Sequence, residues 1–512
     1  MATLGEVLRR HARRVPDREA LISGDTRLTY AELDRAVNRT ANALAAAGLR
    51  KGDRLALMSP NTAGFVLAFY AAMRLGAVVV PVNPRMAAPE VTYLLDDSGA
   101  RAFVFDPALA GVAEPAHAAA AEPPPILLAT RPEGSRADLD RPDLEHRAAD
   151  QSDDAPDVAV TEEDDAEILY TSGTTGNPKG VLFDQHRVVW DGVNMNLTVG
   201  IGDGERMLHV APLYHSAELN LFLNGGVLVG ATHVLQPAFD PGEVLRAMAE
   251  ERITAYFGVP TMYQFLLDHP DFASRDLSAW RIGMFGAAPM PPALIERLVS
   301  AAPGVRLYNL CGPTEGGPSG ICLGPEDMLR RPGANGWAVV NTEARVVDPD
   351  GNDVPAGSTG EVVLRGETIM KRYWNKPAAT AEALRDGWLH TGDLARIDAD
   401  GCITLVDRMK DMIITGGMNV YSVEVENALA AHPSVADCAV VGVPEPTYGE
   451  SIVAVVTPRD GAEVTLDELR EHTRGLIADY KAPHRLVVDE IPRNPSGKIV
   501  KHELRSRLGA TG

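Results

Sequence analysis

Residues 170–181 read Tyr170-Thr-Ser-Gly-Thr-Thr-Gly-Asn-Pro-Lys-Gly-Val181, and no other stretch of the chain says more. Between Thr171 and Val181, eleven residues hold three glycines, four hydroxyl side chains and one lysine. That mixture suits a loop that wraps polyphosphate. Glycine lets the backbone turn back and offer N–H groups to anionic oxygens. Serine and threonine hydroxyls add donors and can reach a magnesium ion. Lys179 adds a mobile positive charge. The Walker A pattern does not fit, because Pro178 precedes Lys179 and Gly180 follows it. The competing reading is a flexible surface turn, the usual fate of glycine and hydroxyl clusters.

Upstream of this loop, short apolar runs alternate with helical spacing. The pattern predicts a helix over 33–49, a strand over 54–58, a helix over 62–75 and a strand over 78–82. Such alternation points to α/β layers. Leu4, Val7, Leu8 and His11 predict a short amphipathic helix at the start. Residues 111–167, rich in Ala, Pro, Asp, Glu and Arg, read as a variable surface excursion, with disorder expected in part of 128–160. Downstream, strands are expected at 232–235, 281–285, 306–310 and 361–364. After Asp407-Arg408 the chain makes a fresh start, with helices at 422–431 and 466–477 and strands at 436–443 and 452–457. About 100 residues suffice for a small α+β domain.

The bulk composition is that of a soluble globular protein, with 45% hydrophobic and 23% charged residues. No apolar run approaches a membrane span. A formal charge of −22 argues against nonspecific binding to nucleic acid or anionic lipid. The four cysteines, Cys311, Cys322, Cys402 and Cys438, form no C-x-x-C pair, which fits a reducing cytoplasm without disulfides or a zinc site.

Six further motifs follow the loop in order. They are Ala211-Pro-Leu-Tyr-His-Ser216, Gly286-Ala-Ala-Pro-Met290, Tyr308-Asn-Leu-Cys-Gly-Pro-Thr-Glu315, Trp388-Leu-His-Thr-Gly-Asp393, Asp407-Arg-Met-Lys-Asp411 with Gly416-Gly-Met-Asn-Val420, and Asn494-Pro-Ser-Gly-Lys498. On these motifs the chain resembles the adenylate-forming superfamily of acyl- and aryl-CoA synthetases, peptide-synthetase adenylation domains and beetle luciferases. The resemblance runs from Leu28-Thr-Tyr-Ala-Glu-Leu33 to Lys501. It implies an α/β fold: a large N-terminal domain of layered sheets and helices over 1–407, a hinge over 408–411, and a small mobile α+β lid over 412–512.

The resemblance also implies roles. Thr171, Ser172, Gly173, Thr174, Thr175, Gly176 and Lys179 would hold the ATP phosphates. Glu315, with Thr171 or Thr174, would hold Mg2+. Gly286, Ala287 and Ala288 would pass the adenine edge, with Asn309, Cys311, Gly312 and Thr314 completing the nucleotide site. Asp393 would accept both ribose hydroxyls, and Arg408 would add a contact. Lys498 would bridge carboxylate and α-phosphate. Lys410 would be the pivot, and Gly416 and Gly417 would line the path of the CoA thiol arm. His215 would gate an acyl pocket walled by Tyr214, Leu221, Phe222, Val259, Met262 and Tyr263.

Two departures stand out. Cys311 occupies a place where most relatives carry an aromatic that stacks on adenine. Glu218 and Asn220 follow the histidine where relatives run small and apolar; they would either recognise a polar group on the acid or hydrogen-bond the scaffold. The expected reaction is acyl-CoA synthesis from a small-molecule carboxylic acid, with ATP, Mg2+ and CoA. A medium or bulky hydrophobic acid is expected: aryl, fatty or polycyclic. One alternative is a stand-alone adenylation enzyme that loads a carrier protein; another is a catalytically weak scaffold. No nucleic acid and no membrane span are expected. A homodimer is a family-level expectation only, and alanine, arginine and glycine usage suggests a bacterial source.

Overall fold

The computed structural model describes residues 3–130, 143–171, 177–474, 476–493 and 499–509. Ser172, Gly173, Thr174, Thr175, Gly176 and Lys498 lie outside the described residues. The chain divides into two compact units: 1–344 with 364–389, and 345–363 with 390–512. This division falls inside strands upstream of 408–411. It marks packing density, so it leaves the expected pivot at 408–411 as a separate proposal.

The first unit carries two large sheets. One has nine strands, ordered Trp337–Ala338, Ile321–Leu323, Arg306–Cys311, Ile282–Gly286, Ala255–Gly258, Arg206–His209, Thr232–Leu235, Glu19–Ser23 and Thr26–Thr29. The other has seven, ordered Arg372–Tyr373, Lys179–Asp184, Asp165–Thr171, Val78–Val82, Arg54–Met58, Ala102–Phe105 and Ile126–Ala129. The central strands pair in parallel and are buried on both faces, so they read as unbroken runs such as Val78–Val82. Helix Ala63–Leu75 is apolar nearly all round and buried along its length, as a helix inside a layered core must be. Its N-cap Thr62 and left-handed C-cap Gly76 fix its ends. The opening helix Leu4–Arg14 buries Leu4, Val7, Leu8 and His11, the face its spacing predicts.

The acidic, alanine-rich stretch departs from the surface-excursion reading. Helix Ala110–Ala119 buries Ala113 and Ala116, and Ile126–Ala129 adds a parallel edge strand beside Ala102–Phe105. Small side chains let this helix pack closely without a strong apolar stripe. The block after 150 is tied down too: Asn38 and Asn42 donate to the carbonyls of Asp153, Ser152 and Asp154.

In the second unit, strands Val435–Glu445 and Gly449–Pro458 form a long antiparallel pair, and Arg485–Val488 joins in parallel. The hairpin Ile413–Thr415/Met418–Val420 extends the sheet. Helices Ser422–Ala430 and Leu466–Arg474 contribute Val425, Leu429 and Leu469 to one core on this sheet, and Lys501–Gly509 contributes Leu504 and Leu508 to another. Among the described residues no helix is long and apolar enough to cross a membrane.

Candidate active site

The diagnostic loop joins two antiparallel strands. Thr171 ends the strand Asp165–Thr171, Lys179 opens Lys179–Asp184, and the two residues are register partners. A third segment brings Glu315, in a short 3₁₀ turn at Thr314–Gly316. Thr171 Oγ1 donates to Glu315 Oε1 at 3.5 Å. A fourth brings Tyr373, whose hydroxyl donates to the same oxygen at 2.9 Å. The Lys179 ammonium lies over the Tyr373 ring, 4.9 Å from its centroid. Bonds to backbone carbonyls lock these segments: Met370 N–H donates to the Glu315 carbonyl and the Thr368 hydroxyl to that of Gly316. Two hydroxyls, one carboxylate and one ammonium therefore meet beside the loop. Tyr373 was not found by sequence reasoning. Its only signal is the aromatic pair Tyr373-Trp374 in a chain with 5% aromatics. Burial and the neighbouring carboxylate of Glu315 both raise its phenol pKa, so it stays a hydrogen-bond donor.

Ser216 and Thr314 link this centre to the next motif, their hydroxyls 3.0 Å apart. Tyr214 and His215 stack in a tilted pair with centroids 4.8 Å apart. In the Gly286–Met290 motif, Gly286 has no room for a side chain: a Cβ there would lie 2.6 Å from the Leu310 carbonyl oxygen. Ala287 is held at φ 67°, a strained conformation for alanine, and both it and Ala288 are exposed. Gly312 is equally tight, with a Cβ meeting Gly320 N at 2.5 Å. Asn309 donates to the Ala334 carbonyl at 3.1 Å, and Cys311 ends its strand half-buried.

Several expected pocket residues belong instead to the core. Tyr263 is 0% exposed, donates to the Met284 carbonyl at 2.9 Å and stacks on Trp280. Leu221 and Phe222 are buried, with Phe222 stacked on Phe257. Glu218 and Asn220 sit on a buried π-helical segment, Ala217–Asn224. Glu218 Oε1 lies 2.6 Å from His209 Nδ1, and His209 Nε2 lies 2.9 Å from His233 Nδ1. Burial pushes Glu218 well up and His209 down to about 3. Burial disfavours charge on all three groups, an arrangement in which a neutral Glu218 acid can donate to His209 and His209 to His233. Asn220 Nδ2 donates to Glu167 Oε1 at 2.5 Å and reaches Asp191 Oδ2 at 3.4 Å. Burial pushes Glu167 up to about 7 and, with Glu167 adding to it, Asp191 well above the carboxylate range. Both polar residues thus bond the scaffold. Tyr214, Val259 and Met262 remain half-buried.

In the second unit, Asp393 and Arg408 are register partners across an antiparallel pair, with Arg408 Nε 3.0 Å from Asp393 Oδ1. Asp411, beside the exposed Lys410, is held by Arg505 at 2.6 Å. Gly416 (φ 57°) and Gly417 (φ 79°) form the two-residue turn of the 413–420 hairpin, where both backbone angles must be positive. Gly417 has open space around it. Lys501 Nζ engages Ser422 Oγ at 2.6 Å and Glu426 at 2.7 Å.

Two family models match the chain: AMP-binding enzyme over residues 8–374 and AMP-binding enzyme C-terminal domain over 424–498. The chain is 42% identical to a feruloyl-CoA synthase of Amycolatopsis sp, covering 98% of each chain. It is 38% identical to the long-chain-fatty-acid–CoA ligase FadD13 of Mycobacterium tuberculosis, covering 100% of this chain and 99% of that one. Among solved structures, it is similar to o-succinylbenzoate coenzyme A synthetase of Bacillus subtilis in complex with ATP and magnesium ion. There the TM-score is 0.86 and the identity 29%, with 98% of each chain covered.

Proposed function

Because the chain belongs to the AMP-binding enzyme family, as an acid–thiol ligase, we propose that it activates a hydrophobic carboxylic acid of medium or bulky size, an aryl acid foremost. The observation that carries this reading is the meeting of the Thr171 and Tyr373 hydroxyls on one Glu315 oxygen, with the Lys179 ammonium over the Tyr373 ring. In the first step an acid oxygen attacks the α-phosphorus of ATP. The bond to pyrophosphate breaks, leaving an acyl adenylate. Charge builds on the phosphoryl oxygens during this displacement, and Lys179 would offset it. Glu315 and Thr171 are the residues that would hold magnesium, a hard oxygen pair of the kind Mg2+ takes alongside substrate phosphates. The ion supplies charge neutralisation on the phosphates when bound. In the second step the CoA thiol, losing its proton, attacks the acyl carbon and AMP leaves.

Asp393 is the proposed ribose acceptor and Lys498 the cation for the first step. Gly416 and Gly417 serve the thiol arm in the second, with Lys410 as pivot. An aryl acid is favoured by the relative named for feruloyl-CoA and by Tyr214, Val259 and Met262 as half-buried apolar residues. The test is mass spectrometry of products from a panel of cinnamic, benzoic, fatty and polycyclic acids with MgATP and CoA. Acyl-CoA from the aryl members, made faster than from the others, supports the reading. Adenylate without thioester would move the acceptor to a carrier protein.

A further inference from the structure

Asp97 lies in the last turn of helix Ala88–Ser98. A carboxylate there opposes the helix dipole, so helix stability does not account for it. Its side chain is only 9% exposed, and it is densely bonded. Tyr170 Oη donates to Asp97 Oδ2 at 2.7 Å, and Lys376 Nζ donates to Oδ1 at 3.0 Å. The Asp97 carbonyl accepts from Trp374 Nε1 at 3.1 Å and from Asn375 Nδ2 at 3.3 Å. One turn earlier, Tyr93 Oη lies 3.0 Å from the Pro178 carbonyl and 3.3 Å from Asp97 Oδ1. The Tyr93 and Tyr170 rings meet edge to face. Tyr170 immediately precedes Thr171, and Pro178 immediately precedes Lys179. The same helical turn thus holds the residues at both ends of the diagnostic loop. Through Trp374 and Lys376 it also holds the segment that presents Tyr373 to Glu315.

Gly180 shows how closely the parts fit. A Cβ there would lie 2.5 Å from Ile168 Cγ2 and 3.2 Å from Tyr170 Cζ. The Trp374 N–H donates to the Gly180 carbonyl at 2.7 Å. The tyrosine ring is therefore fixed above by its hydroxyl and below by the glycine.

We propose that Asp97 and Tyr93 form a clamp that positions the two ends of the phosphate-binding turn, and so set the affinity for ATP without touching it. The inference rests on the reading of 171–179 as that turn. A clamp on that turn should change the response to ATP and leave the response to the acid. The clamp is remote in sequence from Tyr214, Val259 and Met262, and none of its contacts reaches them.

The experiment uses the whole chain, the single variants Asp97→Asn, Tyr170→Phe and Tyr93→Phe, and the Asp97→Asn/Tyr170→Phe double variant. Direct titration with MgATP is read alongside the KM values for ATP and acid in pyrophosphate exchange. The expected result is a rise of about tenfold in the MgATP Kd and in the ATP KM for Asp97→Asn, the scale of one lost hydrogen bond to a charged group. The acid KM should stay within about twofold of wild type, the scatter of independent sites. The Asp97→Asn/Tyr170→Phe double variant should lose little more than Asp97→Asn alone, because the charge that Tyr170 bonds is already gone. An unchanged Kd, or equal rises in both KM values that follow a fall in Tm, would overturn the clamp. A wild-type enzyme that binds MgATP but exchanges pyrophosphate with no acid would sink the ligase reading instead, and the titration would still decide the clamp.

Discussion

At the scale of single residues, the site depends on what Glu315 is bonded to. Tyr373→Phe removes one donor from the oxygen that faces Thr171 and leaves the ring under Lys179. The expected outcome is a fall in kcat of about tenfold with little change in Tm, since a bond to a charged group contributes about 1.5–3 kcal/mol. Steady-state kinetics with saturating acid checks it. Glu218 gives the opposite kind of prediction. Its carboxyl group bonds His209 inside the core, so Glu218→Gln, which can still donate to His209, should leave the ranking of acids unchanged. Glu218→Ala should lower stability by about 1–3 kcal/mol, because it orphans a buried histidine. Denaturant unfolding measures the second effect, and a changed ranking in the Gln variant would contradict the first. Cys311→Tyr should lower the ATP KM, since stacking on a base is worth about 1–3 kcal/mol where it forms. Reactive residue types at motif spacing were legible in the sequence: Thr171, Lys179 and Glu315 do come together. Glu218 and Asn220 were not, because a sequence cannot say which way a polar side chain on a buried helix points. Tyr373 was not, because nothing in its own neighbourhood marks a partner 58 residues away.

At the scale of elements, the strand Asp165–Thr171 carries both the loop and a buried acid. Glu167 is held up at about 7, above the 4.5 of an ordinary glutamate. The folded state therefore keeps a proton that the unfolded chain releases between these values. Wherever the folded state binds more protons, stability falls as pH rises. The contribution of Glu167 is fully present below about pH 4.5 and is lost by about pH 7. Glu167→Gln cannot ionise, so its Tm should fall less than that of wild type between these limits. Thermal unfolding across that window checks the difference, and parallel curves would contradict it. Strands such as Arg54–Met58 and Val78–Val82 were legible because two-sided burial leaves continuous apolar runs. The helix Ala110–Ala119 and the strand after it were not, because alanines and an internal Pro115 give neither a clear period nor a strong apolar run.

At the scale of the molecule, the ordered motifs announced the family, and the matches to family models over 8–374 and 424–498 bear that out. The division into units was less legible. The chain leaves the first unit at 344, returns at 364 and leaves again at 389, a route that no composition change marks. Formation of an acyl adenylate by this molecule is read out by acid-dependent exchange of labelled pyrophosphate into ATP. Exchange should need both magnesium and an aryl or other hydrophobic acid, and should fall steeply in Glu315→Ala. Exchange that proceeds equally without acid, or that survives Glu315→Ala unchanged, would contradict it.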